Sequence, residues 1–139
     1  YSASLQRIQI IKGSVTNSGA RPSEKVFDVI CSDGLEVDPT THRCPDNGAR
    51  VNIEDCSITN NVGATELKAT WRDPDFNPKD KAFYYVRVLE NPTCRWSTWD
   101  ALKAGIKPRS DLHKTIQERA WSSPIWYIPV PEDIDIFAL

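Results

Sequence analysis

Apolar and polar positions alternate along LQRIQIIKG (5–13), where Ile8 and Ile10 are interleaved with Arg7, Gln9 and Lys12. Period-two patterning of this kind reads as a half-buried β-strand, here ended by Gly13. KVFDVIC (25–31) is a second strand and VNIEDC (51–56) a short candidate. TELKATW (65–71) alternates cleanly, with Leu67, Ala69 and Trp71 on one face. KAFYYVRVLE (81–90) is the strongest strand: Phe83, Tyr85, Arg87 and Leu89 face one way, and Tyr84, Val86 and Val88 the other. Both faces are mostly apolar, which predicts a central place in a sheet. STWDALKAG (97–105) is the one helical pattern, with Ser97 as N-cap, Asp100 completing a capping box and Gly105 as its end. TIQERAWSSPIWYIPV (115–130) is β-branched and aromatic, and Pro124 within it predicts a break or an edge position. The last residues, PEDIDIFAL, form a tail whose Ile134, Ile136 and Phe137 are expected to dock.

The connections are long. TNSGARPSE (16–24) is a loop by composition, and Asp33-Gly34 opens a longer one through Pro39 and Pro45. DPDFNPKD (73–80) sets Asp73, Asp75 and Asn77 at alternate positions, like the opening of a calcium loop. The match fails further on, because Pro78 stands where such a loop needs Gly and Tyr84 where it needs Glu. An Asx-rich turn is the better reading, with calcium as its alternative. These elements predict a mainly β fold: an antiparallel, sandwich-like β domain with long loops and one short helix, spanning 1–139 as a single module.

Composition narrows the partners. Lys and Arg number 17 against 19 for Asp and Glu, with no basic stripe, so nucleic acid and anionic membrane are poor fits. No apolar run approaches the roughly 18 residues of a membrane span. The chain has no Met and begins at Tyr1. That points to a processed subunit or a fragment of a larger protein, an expression product with residues removed being the alternative. Cys31, Cys44, Cys56 and Cys94 show no C-x-x-C spacing, and only His42 and His113 could join them at a zinc site. Two disulfides in an exported protein fit better, and of the three pairings Cys31–Cys44 with Cys56–Cys94 is favoured. The first would close SDGLEVDPTTHR; the second would tie a late strand end to mid-chain. Four free thiols in a cytosolic protein remain the alternative.

No catalytic constellation can be assembled. G-x-S-x-G, H-E-x-x-H and P-loop patterns are absent, and His113 lacks convergent metal-ligating company. Five Trp are many for 139 residues, and indole rings serve both cores and the recognition of sugars or cations. Trp71 and at least one of Trp121 and Trp126 are expected in the core. Trp96 and Trp99 flank the helix start, and Arg95 beside them could stack on an indole or fork onto a carboxylate or phosphate.

TWRDPDFNPKDKAFYYVRVLENPTCRWSTWDALKAG followed by TIQERAWSSPIWY resembles the C-terminal part of a bacterial family, domain of unknown function number 3604; LQRIQIIKG and EKVFDVICSDG match earlier landmarks. The likeness runs from about Leu5 to Tyr127. It implies an exported, periplasmic or secreted, metal-dependent hydrolase acting on phosphoesters. In that family an N-terminal D-L-H-x-H stretch resembles the polymerase-and-histidinol-phosphatase metallohydrolases. This chain has no D-L-H-x-H, so no metal ligand carries over to it and the implied divalent metal belongs to a catalytic half elsewhere. The expectation is a C-terminal module that packs on that half and offers it substrate contacts from Arg95, Trp96, Trp99, Arg72 or Asp73. The rival expectation is a non-enzymatic β-sandwich that binds a glycan or a protein partner.

Overall fold

The computed structural model describes residues 3–15 and 21–130. Along them run β1 (Leu5–Val15), β2 (Ser23–Cys31), β3 (Lys81–Glu90), β4 (Thr93–Cys94), helix α1 (Trp96–Lys103), β5 (Thr115–Ile116), β6 (Arg119–Trp121) and β7 (Ile125–Tyr127). The three long strands form an antiparallel sheet in the order β2-β1-β3, and both β6 and β7 pair with the far edge of β3. β4 and β5 make a separate two-stranded ribbon, so the second sheet of the sandwich-like layout is small. β3 is central, as its two apolar faces require. Pro124 falls between β6 and β7, where the ladder is interrupted; there Ser122 bridges to Val86 through its amide and its hydroxyl.

Register assigns the faces. Lys12 lies opposite Lys25 and Tyr84, and Ile10 opposite Phe27 and Val86. That face is covered by chain following Leu67: Trp71 packs on Phe27 and Tyr84, with centroids 5.3 and 6.4 Å apart. The other face carries Gln9, Ile11 and Gly13, opposite Asp28, Val26 and Glu24 on β2 and Arg87, Tyr85 and Phe83 on β3. A bulge between Ile8 and Gln9 keeps these rows on their faces although β2 holds one extra residue there.

At the polar end of this second face lies Asp28, whose side chain is fully buried. It accepts from Gln9 Nε2 (2.5 Å), Cys44 N (2.7 Å) and Arg7 Nη1 (3.4 Å), with Arg43 at 3.6 Å. Gln9 in turn accepts from Arg87 Nε at 2.7 Å. Both favoured disulfides are present, Cys31–Cys44 and Cys56–Cys94. The first closes the loop that delivers Cys44 N and Arg43 to Asp28.

Four expectations are corrected. β1 does not stop at Gly13 but runs to Val15; the glycine is needed because Phe83 lies over it. TELKATW is not a strand: the segment leads onto a sheet face instead, where Trp71 packs on Phe27 and Tyr84. VNIEDC keeps only an isolated bridge, Val51 with Ile58, because Asn52 and Asp55 side chains capture the Glu54 and Ser57 amides and close a tight turn. Trp121 and Trp126 are not core residues, being 59% and 68% exposed on the edge strands. The 73–80 stretch is the Asx-rich turn expected, with Asp73 accepting from Asp75 N and Asn77 from Lys79 N. The tail with Ile134, Ile136 and Phe137 lies outside the described residues, as do 16–20 of the first loop.

Two outcomes check this packing. A Cβ at Gly13 would lie 2.2 Å from two ring carbons of Phe83, so Gly13→Ala should lower denaturant stability by about 1–3 kcal/mol, and the loss should shrink in a Phe83→Leu background. Asp28→Ala should cost about 3–5 kcal/mol, since it strips a buried charge network. Asp75→Ala, which breaks the exposed pair with Lys25, should cost no more than about 1 kcal/mol.

Candidate functional site

The chemistry expected of this chain centres on ENPTCRWSTWD (90–100), and the structure explains how that corner is held. Asn91 is buried where β3 ends. Its amide donates to Ser4 O, its Nδ2 to Val62 O, and its Oδ1 accepts from Asn47 Nδ2. Cys94 is bonded to Cys56, and β4 pairs with β5 so that Thr93 faces Ile116. Arg95 N and the Thr98 hydroxyl both donate to Lys114 O, pinning the first turn of α1 to the β5 side.

The helix starts earlier than its sequence suggests. Arg95, not Ser97, occupies the N-cap position, in an extended conformation and without a side-chain cap. Ser97 lies inside the first turn, and the fixed anchorage of Arg95 and Thr98 on Lys114 replaces the expected capping box. Gly105 does follow the helix end, at φ 66°, with its amide donating to Leu102 O.

This early start splays the three expected contact residues. Arg95 lines a cleft of about 510 Å³ together with Gln6, Arg50, His113 and Arg119. Trp96, 71% exposed, borders a groove with Ala101, Ile106 and Leu112. Trp99, 42% exposed, borders a third depression beside the Cys56–Cys94 bridge and Ile58. They share a corner, but each faces a different hollow.

Arg72 and Asp73 belong to another region. Asp73 is paired with Lys12 at 2.6 Å and accepts from the Tyr84 hydroxyl at 2.7 Å. Lys12 stands six residues along β1 from Gln6, which is about 20 Å at strand rise. The Arg72–Asp73 turn and the Arg95 cleft therefore lie at opposite ends of β1. Burial pushes the Asp73 carboxyl up, but its hydrogen bonds from Lys12, Tyr84 and Asp75 N outweigh that and leave its pKa below the ordinary value. Tyr84 is raised well above an ordinary phenol by burial and by the Asp73 charge. Asp73 is thus a committed structural partner, while Arg72 is exposed.

A surface the sequence reading missed lies on the β6–β7 edge. Trp121, Ile125, Trp126, Ile128 and Val130 are each 59% to 72% exposed. Trp126 packs on Phe83, 5.3 Å between centroids, beside an apolar groove of about 570 Å³ bounded by Gly13, Val15 and Ile128. One available clue was in the sequence: beyond Pro124, Ile125, Trp126 and Ile128 put apolar side chains on both faces of an edge strand. Among the described residues no group of three or more His, Cys, Asp or Glu could hold a metal ion, so the divalent metal that the resemblance implies finds no fitting ligand set there. No helix among them is long and apolar enough to cross a membrane.

Residues 1–129 match the model of the family described as protein of unknown function (DUF3604), and the chain belongs to that family. No curated protein and no solved structure matches it.

The Asp73 pairing has a pH signature. A carboxyl whose folded pKa lies below its unfolded value stabilises the fold above that unfolded value, 3.8, and the stabilisation fades as pH falls through the folded value. Asp73→Asn should lower stability near pH 7 by about 1–3 kcal/mol. Thermal melts should find the gap between variant and wild type narrowing below pH 4.

Proposed function

We propose that this member of the family is the β-rich C-terminal module of a periplasmic or secreted metal-dependent hydrolase, a phosphoesterase, and that it packs on a catalytic half carried elsewhere in the same protein. The observation that carries the reading is the uncovered apolar edge of Trp121, Ile125, Trp126 and Ile128. Aromatic and aliphatic side chains clustered at a sheet edge, beside an apolar groove, are what a packing interface presents when its partner is removed. The resemblance in the TWRDPDF, NPTCRWSTWDAL and TIQERAWSSPIWY stretches supports the hydrolase assignment and the C-terminal placement. The two disulfides support export, since such bridges persist in oxidising compartments. The metal would be held by the catalytic half, and Arg95, Trp96 and Trp99 are this chain's candidates for contacts to its substrate.

A second reading draws on the exposed indoles of Trp96 and Trp126, which could stack on sugar rings in a non-enzymatic module for a glycan or protein partner. One pair of experiments separates the two. The purified chain should hydrolyse no model phosphodiester with added divalent metal, whereas co-expression with the segment preceding it in the reading frame should give a stable complex that does. Trp126→Ser with Ile125→Ser should weaken that complex at least tenfold. Turnover by the chain alone would overturn the proposal, and glycan binding without complex formation would establish the second reading in its place.

A further inference from the structure

We propose that the cleft beside Arg95 is an anion site for a phosphate group, free or as a monoester, held by Arg95 and Arg119 beside an Arg50 already paired with Asp46. Three stretches distant in sequence converge there: the loop carrying Asp46 and Arg50, the disulfide-tied corner carrying Pro92 and Arg95, and the β5–β6 stretch carrying His113 and Arg119. Asp46 is the one carboxylate on its walls, and it is occupied. Arg50 forks onto it with Nη1 at 3.1 Å and Nη2 at 2.5 Å, and Gly48 N donates as well, so its pKa falls to about 2. Arg95 and Arg119 form no ion pair among the described residues. Three guanidiniums less one carboxylate leave a formal surplus of two positive charges among the residues lining the cleft, in a chain whose net charge is −2.

The walls are built rather than loose. Arg95 follows Cys94, whose side chain is bonded to Cys56, and its own amide is fixed on Lys114 O. Arg119 stands in β6 opposite Leu89 of the central strand. Between them the amides of Gln117, Gln6 and Asn47 form a chain: Gln117 Nε2 donates to Gln6 Oε1 at 2.8 Å, and Gln6 Nε2 to Asn47 Oδ1 at 3.1 Å. Gln117 Nε2 also donates to Glu90 O. Gln6 and Gln117 thus spend their amide donors on one another's neighbourhood, which leaves the arginines as the cationic side chains among the lining residues. Planar, permanently charged forks match the oxygens of a phosphate dianion, and two uncompensated charges match its charge. A single negative charge, such as acetate, would answer only one of them.

The inference does not depend on whether the chain packs on a catalytic half, so each can fail alone. The test is titration of the intact chain with inorganic phosphate and with phenyl phosphate, followed by amide chemical shifts at constant ionic strength, with chloride and acetate as references. Phosphate or its ester should saturate shifts clustered at residues 46–50, 92–95 and 113–119, and phenyl phosphate binding tighter than phosphate would identify a monoester as the ligand. Arg95→Gln and Arg119→Gln should each weaken binding at least fivefold while circular dichroism stays native, and Arg72→Gln at the opposite end of β1 should leave it unchanged. Acetate or chloride binding as well as phosphate, or equal loss in all three variants, would overturn the site.

Discussion

The carboxylate of Asp28 is withdrawn from water and must be answered by donors from both the neighbouring strand and a distant loop. A buried charge left unanswered costs several kcal/mol, so its partners fix the positions of whatever carries them. Arg7 and Gln9 set the register of β1 on β2, and Gln9 passes the constraint to Arg87 on β3. Cys44 N and Arg43 bring in the loop closed by Cys31–Cys44. Ionic and covalent ties thus act on the same loop, one setting its geometry and the other limiting the unfolded chain. From that loop the polar network continues: Asn47 bonds Ser32, Gln6 and Asn91, and Asp33 accepts from Gly63 N. The 90–100 corner is therefore the far end of a network that begins at Asp28.

This chain of polar ties explains how so small a domain supports such long loops. The apolar core is thin: among the described residues Phe27, Ile11 and Leu89 are the largest buried apolar side chains, and most positions of the long strands are only half-buried. Loop amides find side-chain partners in place of a ladder, as at Asp38, Asp46, Asn52, Asp55, Asp73 and Asn77. Apolar surface that would close over a thicker core is spread outward along β6 and β7 instead. A domain built in this way leaves an apolar edge and an arginine-lined cleft at its surface.

How much of this was legible depended on the range of the interaction behind each feature. β1, β2 and β3 were readable because alternation is a property of neighbours in sequence, and β3 was placed centrally because both its faces are apolar. The 73–80 turn and the break at Pro124 were equally local in origin, whereas the disulfide pairing, favoured among three, joins cysteines 13 and 38 residues apart. TELKATW alternates as well as β1 does, yet it forms no strand, because its aromatic end packs across a sheet face, Trp71 on Phe27 and Tyr84. Of the expected contact residues, Arg95, Trp96 and Trp99 share a corner as read. Nothing local could reveal that they face three hollows, since that follows from where Lys114 anchors the helix.

By itself, then, the sequence determined the class of fold and its three long strands, because period and chain breakers act over a few residues; it favoured the pairing of the two disulfides that the structure shows. Tertiary structure alone decided which tryptophans lie inside, why Gly13 must be a glycine, and that Arg50, Arg95 and Arg119 meet. Those outcomes turn on strand register and on which edge each late segment finds, and both are set by contacts between residues far apart in the chain.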